Sequence, residues 1–168
     1  MNTKIIARTA ILLALTILVQ TLGRFIPLGQ FNQFIVGPLV NACLLVAAAY
    51  TGLAGGAVVS VLSPFGAILT GAAIPLPFAP FIAAGNFVLV LLYVLLKKRP
   101  VPAVISGAVL KFGFLWGSIL LFVSFMNIPD KKATLLIASF SWPQLVTALI
   151  GGAIALAVIK ALKKSVEE

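Results

Sequence analysis

Residues 101–125 read VPAVISGAVLKFGFLWGSILLFVSF, an apolar run that contains one charged side chain, Lys111. A helix that crosses the hydrocarbon core of a bilayer needs about 20 predominantly apolar residues. This run is long enough, so it predicts a transmembrane helix. The rest of the chain consists of similar apolar runs, so this stretch indicates the fold class of the whole chain.

The composition of the whole chain agrees with that prediction. Its 168 residues are 62% hydrophobic and 9% charged, whereas a soluble domain is about half apolar and a quarter charged. So few charged side chains would not cover the surface of a soluble protein. The composition excludes a soluble enzyme, a disordered chain and a disulfide scaffold, and it predicts an all-α membrane protein.

Apolar runs bounded by glycine, proline and charge predict six transmembrane helices in a single domain, residues 1–168. A tight turn is expected over residues 52–56, between the second and third spans. Proline-rich residues 74–80 cannot form regular helix and should separate the third span from the fourth. The predicted spans are residues 5–22, 35–51, 57–69, 81–96, 101–125 and 135–162.

The positive charges orient these spans. Six crossings place both termini on one side, and cytoplasmic termini put most of the 12 cations inside, as the positive-inside rule requires. The net charge of +9 is therefore interpreted as a topology signal that also favours contact with anionic membrane lipid, not with nucleic acid. The inside set is Lys4, Arg8, Lys97, Lys98, Arg99, Lys160, Lys163 and Lys164, against Arg24, Lys131 and Lys132 outside.

Lys111 lies within a predicted span and therefore does not contribute to that topology signal. It lies about 15 Å into its span at a rise of 1.5 Å per residue, near the middle of the membrane. A lysine there costs at least ~2.5–3.5 kcal/mol on insertion scales and usually faces an interior cavity. No acidic residue lies in any predicted span, so a ligand carboxylate, phosphate or carbonyl is one expected partner. Snorkelling, or hydrogen bonding to helix carbonyls, is the alternative.

A few other side chains would form a pocket with Lys111 in the outer half or the middle of the predicted spans. Buried amides need hydrogen-bond partners, which a ligand or a neighbouring helix can supply. Trp142 fits an interfacial aromatic belt equally well, and Phe34 either covers the pocket or dips into the lipid interface. The candidate substrate-binding residues are Lys111, Asn86, Asn41, Gln144, Trp142, Ser118 and Phe34.

Metal and hydrolase chemistry find little support in the sequence. The chain has no histidine, the commonest ligand for transition metals, and its acidic residues lie outside the predicted spans. No catalytic residue, metal site or cofactor is therefore predicted. The single Cys43 is interpreted as a small buried hydrophobe.

The first span carries small residues at helical spacing. Ala7, Ala10 and Ala14 share one face, and Ala10-x-x-x-Ala14 is a small-xxx-small pair that permits close helix approach. Packing within the chain is the ordinary use of such a pair, so the pair alone does not indicate a partner.

Together these features resemble the substrate-binding S component of an energy-coupling factor (ECF) vitamin importer. The resemblance covers nearly the full length and includes six hydrophobic helices, basic cytoplasmic ends and the alanine motif on the first helix. Further similar pieces are the outside loop 23–37, Ser63-Pro64-Phe65, the stretch from Pro80 to Gly85-Asn86, and the sixth helix from Gln144 to Gly151-Gly152.

The resemblance implies a function. An S component binds a vitamin or related micronutrient with high affinity near the outer face, between helices four to six and under two outside loops. Ala10 and Ala14 would contact the ECF transmembrane scaffold subunit, and two cytoplasmic ATPase subunits would drive toppling and release. The chain itself would be no enzyme, which agrees with its lack of a Walker A motif. It would reside in the prokaryotic plasma membrane.

The ligand class and two alternatives remain open at this point. Lys111 and the absence of acidic pocket groups favour an anionic or carbonyl-rich ligand over a cationic one such as thiamine. A stand-alone secondary transporter or channel for a small organic solute is the alternative function. It would need a proton or sodium relay, for which the spans offer no Asp, Glu or His. A membrane enzyme or scaffold is a third reading, with Lys111 its one reactive candidate.

Overall fold

The structure, a computed structural model, describes residues 2–72, 74–126 and 128–167. All regular structure in these residues is helical, which confirms the all-α prediction. Short 3-10 turns at Gly29–Asn32 and Leu76–Phe78 precede two of the helices. The helices are α1 Thr3–Gly23, α2 Gln33–Leu69, α3 Ala79–Leu95, α4 Pro100–Met126, α5 Asp130–Ser139 and α6 Trp142–Glu167.

Helix α2 reverses direction at one residue. Gly52 has φ 68° and ψ −163°, a backbone conformation essentially restricted to glycine. Beyond it the chain folds back, so that Gly56 lies against the backbone of Ala48. The sequence predicted a turn over residues 52–56, but residues 53–56 are already helical. A single glycine therefore suffices for the reversal.

The predicted sixth span is divided into two helices. Helix α5 ends at Ser139 and α6 begins at Trp142. A continuous helix would need the backbone N–H of residue 143 to donate to the Ser139 carbonyl, and Pro143 has no N–H. The Gln144 side chain donates to that carbonyl instead, at 3.1 Å. The Ser139 carbonyl therefore keeps a hydrogen-bond donor despite the break.

Five helical stretches among the described residues are long and apolar enough to cross a membrane. This is one fewer than the sequence predicted, because α2 counts once although Gly52 divides it. The stretches are α1, α2, Leu76–Leu95, α4 and Asp130–Lys164.

The core forms around α2, which α1, α3 and α6 enclose. Leu44 and Leu45 of α2 are completely buried and belong to one apolar cluster with Leu89 of α3 and Ala155 of α6. Large apolar side chains on α1 and α4 face outward, as expected for surfaces in contact with lipid. A second apolar cluster contains Phe78, Leu115, Ile119, Phe122 and Phe140.

One end of the molecule, here called the basic end, collects most of the cations. Thr9 of α1 packs against Gly55, close to the reversal of α2. The Tyr50 hydroxyl donates to the Ile159 carbonyl of α6 at 3.4 Å, which brings the last turns of α6 to the same end. The cations at or beside these helix ends are Lys4, Arg8, Lys97, Lys98, Arg99, Lys160, Lys163 and Lys164.

The opposite end, here called the loop end, carries the remaining connections. The Arg24 guanidinium lies beside Gly71, which places the ends of α1 and α2 together. The α4–α5 connection also lies here, followed by Lys131 and Lys132. The charge separation expected from the sequence thus matches two physical ends of the molecule.

Candidate functional site

Lys111 lies near the middle of α4, and only 3% of its surface is exposed. Its ammonium nitrogen Nζ donates to Asn41 Oδ1 of α2 at 2.5 Å and to Asn86 Oδ1 of α3 at 2.7 Å. Both asparagines are also buried. Three helices therefore bring one polar side chain each to a single point, here called the polar triad.

Glycines permit the close helix packing around the triad. Gly151 of α6 lies against the Pro38 carbonyl and the Asn41 side chain, and a Cβ at Gly151 would come within 2.7 Å of Asn41 Cβ. A Cβ at Gly85 of α3 would come within 2.8 Å of Leu115 Cγ of α4. A larger residue at Gly151 would push α6 away from α2 beside Asn41, and one at Gly85 would push α3 away from α4.

The hydrogen bonds of the triad fix its chemical character. Lysine donates and does not accept, so both asparagines must turn their carbonyl oxygens toward Nζ. This orientation leaves the two amide NH₂ groups and the third N–H of Lys111 as donors. The bottom of the site is therefore rich in hydrogen-bond donors.

Among the described residues, no carboxylate pairs with the positive charge of Lys111. None of the acidic residues of the chain lies in α1, α2, α3 or α4. Amide oxygens carry only partial negative charge, and a buried cation without a counter-charge is costly. The triad is therefore suited to receive an anionic or strongly accepting group.

The triad lies at the bottom of a cavity of about 350 Å³, here called the main cavity. Val40 and Ile82 form apolar parts of its wall, and Gly29 and Ile74 line it at the loop end. Small-molecule sites are typically concave, mostly apolar and about 300–1,000 Å³, with a few converging polar groups. The main cavity has this character.

Three glutamines line the main cavity: Gln20, Gln33 and Gln144. The Gln144 amide nitrogen donates to the Ser139 carbonyl, which leaves its oxygen free to accept. Gln20 Oε1 is buried and has no hydrogen-bond partner among the described residues. Acceptors thus accompany the donors of the triad in the same cavity.

Sequence reasoning missed Gln20 and Gln33. The available signal for Gln20 was a lone amide near the end of an apolar helix, the same kind of signal that identified Asn41 and Asn86. The alanine stripe drew attention to a different face of α1. Gln33 belongs to the first outside loop as predicted from sequence, but the structure makes it the first residue of α2.

The predicted aromatic residues lie beside the main cavity and do not line it. The rings of Phe34 and Trp142 are 5.6 Å apart, and Phe31 lies 6.5 Å from Phe34. Trp142 is 61% exposed. Together with Gln33 these rings line a separate cavity of about 410 Å³ at the loop end. Gln33 is the residue common to the two cavities.

Ser118 is buried on α4, two turns beyond Lys111. It lies between Leu115 and Ile119, which belong to the second apolar cluster. It is not part of the main cavity lining. Of the seven predicted binding residues, the structure therefore brings Lys111, Asn41, Asn86 and Gln144 together.

Helix α1 presents its alanines outward. Thr9, Thr16 and Gly23 form the buried face of α1, which packs on α2. Ala10 and Ala14 are exposed. Within the described chain the small-residue pair is therefore not used for internal packing.

The apolar helices and the enclosed polar triad define an all-helical membrane protein with an internal cavity of small-molecule size. Comparison with known proteins identifies the family. The family model described as ECF transporter, substrate-specific component, matches residues 4–162. The chain belongs to this family, which confirms the resemblance seen in the sequence. No curated protein and no solved structure matches the chain.

Membership of the family has three direct consequences. The chain is an integral membrane protein and the substrate-specific component of an ECF transporter. Members of the family are transporter subunits and not enzymes. Their role implies a small-molecule substrate and association with the ECF scaffold and ATPase subunits.

Proposed function

We propose that this chain is the high-affinity binding subunit of an ATP-driven importer for a vitamin or related micronutrient. The main cavity is the binding site, and the substrate is anionic or rich in carbonyl groups. The observation that carries the proposal is the buried Lys111 ammonium, held by the Asn41 and Asn86 oxygens without a carboxylate. A substrate carboxylate, phosphate or carbonyl accepts from the donors of the triad.

The substrate fits the cavity in one orientation. Its accepting group lies on the triad, and its own N–H or O–H groups meet the free oxygens of Gln20 and Gln144. Trp142 and Phe34 cover the entrance from the loop end. Pairing every buried polar group gives both affinity and discrimination, because a mismatched substrate leaves a buried group unsatisfied.

The proposed orientation has six crossings, with the two halves of α2 each crossing once. The basic end is cytoplasmic, both termini lie there, and the membrane is the prokaryotic plasma membrane. The separation of charge between the two ends supports this orientation through the positive-inside rule. The main cavity then opens toward the outside, where the substrate is captured.

Energy for transport comes from other subunits. Ala10 and Ala14 form the docking face for the transmembrane scaffold, and two cytoplasmic ATPases drive the cycle. Exposed small residues on a membrane helix support this role, because they allow a partner helix to approach closely.

Mass spectrometry of small molecules that co-purify with the full-length protein tests the proposal. We expect one anionic or carbonyl-rich micronutrient in the wild-type protein and little of it in Lys111→Met. The lost charge-assisted hydrogen bond should lower affinity tenfold or more. Lys132→Met, which removes a charge at the loop end, is the matched control and should retain the molecule. Equal retention by Lys111→Met would show that the triad does not bind the substrate.

A further inference from the structure

Another cavity lies at the basic end and shares no lining residue with the main cavity. Its volume is about 250 Å³. Helices α3 and α6 both pack along α2, and the cavity forms where their ends meet the end of the first half of α2, beside Gly52. The proposed transport function makes no use of this basic-end cavity.

Two lysines from different helix ends line the basic-end cavity. Lys97 follows α3 and Lys163 lies near the end of α6, and both are exposed to solvent. No carboxylate lines the cavity among the described residues, and neither lysine forms an ion pair there. An anion in the cavity would be attracted by both ammonium groups. The charge pattern is therefore that of an anion site.

Two tyrosines add hydroxyl groups to the same cavity. The Tyr50 hydroxyl donates to the Ile159 carbonyl, which holds its ring in place. Tyr93 is 6% exposed, and its hydroxyl has no hydrogen-bond partner among the described residues. Although the Tyr93 side chain is largely buried, its hydroxyl oxygen is accessible from the cavity. Tyr93 is therefore available to donate to a bound oxygen atom.

The surroundings of the cavity are apolar. Val94 and Ile159 form part of its wall. On the outer surface nearby, Leu95 is 67% exposed and Leu162 is 45% exposed. An anion that binds here while contacting these side chains must itself carry an apolar part.

We propose that the basic-end cavity binds the phosphate group of an anionic phospholipid. The phosphate oxygens accept from Lys97, Lys163 and the Tyr93 hydroxyl, and the acyl chains lie along Leu95 and Leu162. Basic pockets between membrane helices on the cytoplasmic side bind such head groups. The lipid as the source of the phosphate rests on the proposed orientation, whereas the phosphate chemistry rests on the lining residues alone.

Native mass spectrometry of the full-length protein, titrated with phosphatidylglycerol or phosphatidylcholine, tests this site. The wild-type protein should bind phosphatidylglycerol more tightly than the zwitterionic lipid. The double variant Lys97→Gln/Lys163→Gln should bind phosphatidylglycerol about tenfold more weakly or worse, because each removed cation weakens the attraction severalfold.

A matched control separates a site from diffuse attraction. Lys98→Gln/Lys160→Gln removes the same charge at the same end from residues that do not line the cavity, and it should bind like wild type. Equal weakening of the two double variants would overturn the proposal. Tyr93→Phe should also weaken phosphatidylglycerol binding without lowering the unfolding temperature, and unchanged binding would exclude the hydroxyl from the site.

Inorganic phosphate distinguishes the two sources of the anion. It should fail to displace the lipid at concentrations far above that of phosphatidylglycerol, because it lacks acyl chains. Displacement at comparable concentration would overturn the lipid assignment and leave a site for soluble phosphate. Lys111→Met should not change lipid binding, so failure of this proposal and failure of the transport proposal are distinguishable.

Discussion

At the residue scale, the main cavity depends on how buried donors and acceptors are matched. Lys111 uses two of its N–H groups within the protein. Gln20 Oε1 is the complementary case, a buried acceptor whose partner is missing from the described residues. A buried donor or acceptor without a partner destabilises the empty protein. A bound substrate that pairs with it removes this free-energy cost.

Gln20→Leu tests this complementarity. Loss of one neutral hydrogen bond to the substrate should weaken binding about threefold to tenfold. The unfolding temperature of the empty protein should not fall, because the substitution removes a buried acceptor that has no partner. Isothermal titration calorimetry and thermal unfolding in detergent measure the two quantities.

Thr21→Val is the control for Gln20→Leu. The Thr21 hydroxyl donates to the Ile17 carbonyl of its own helix and does not line the main cavity. Its substrate affinity should equal that of wild type. Unchanged affinity in Gln20→Leu would remove Gln20 from the site.

At the element scale, helix breaks place the functional groups. Gly52 reverses α2, which brings Thr9 of α1 against the second half of α2 while the first half carries Asn41. The break before Pro143 directs the Gln144 side chain to Ser139 and into the cavity lining. Both breaks arise from single residues whose backbone chemistry differs from that of ordinary helix formers.

Gly52→Ala should destabilise the protein. The φ of 68° with ψ of −163° is strained for any residue with a Cβ, at a cost of about 1–3 kcal/mol. The unfolding temperature in detergent should therefore fall. Gly113→Ala on α4 has no neighbour within 4 Å of the added Cβ and should cause no such loss. Equal stability of the two variants would contradict the importance of the reversal.

Ala10 and Ala14 lie on the exposed face of α1. Ala10→Trp/Ala14→Trp should abolish substrate uptake by cells that express the ECF scaffold and ATPases, because the bulky rings prevent close helix approach. Substrate binding by the purified subunit should remain, since neither alanine lines the main cavity.

A tryptophan pair at the same spacing on α4 provides the control for that experiment. Ile105 and Val109 are 50% and 49% exposed, and Ile105→Trp/Val109→Trp should leave uptake intact. Assembly of the α1 double variant with the scaffold at wild-type level would exclude the docking role.

At the scale of the whole molecule, the two ends differ in charge and in task. The main cavity opens at the loop end, whereas the basic end carries most of the cations and the basic-end cavity. The proposed orientation directs the loop end toward the outside and the basic end toward the anionic cytoplasmic leaflet. In the proposed orientation, one asymmetric charge distribution therefore favours both outward opening of the main cavity and lipid contact at the basic end.

Cysteine labelling tests the orientation. Cys43 is buried, and Cys43→Ala provides a background without thiols. In intact cells a membrane-impermeant maleimide should label Lys131→Cys but not Lys98→Cys. Permeabilisation should expose Lys98→Cys. The reverse pattern would invert the proposed topology.

The sequence by itself determined the fold class, the charge separation and the interior position of Lys111. These properties are local or additive. A run of apolar residues forms a membrane helix, and a lone lysine within it needs polar partners in the interior of the protein. The family resemblance added the expected transport role. Asn41, Asn86 and Gln144 were identified as polar side chains in apolar surroundings, without their partners being known.

Only the tertiary structure decided which of these residues meet. Asn41 and Lys111 are 70 positions apart in the chain, and Asn86 and Lys111 are 25 apart. Such contacts depend on how α2, α3 and α4 rotate against one another, which hydrophobic pattern does not specify in helices that are apolar on nearly every face. For the same reason the structure alone separated Ser118 and Trp142 from the main cavity and added Gln20. Local chemistry determines the helices, whereas packing between distant segments determines the site.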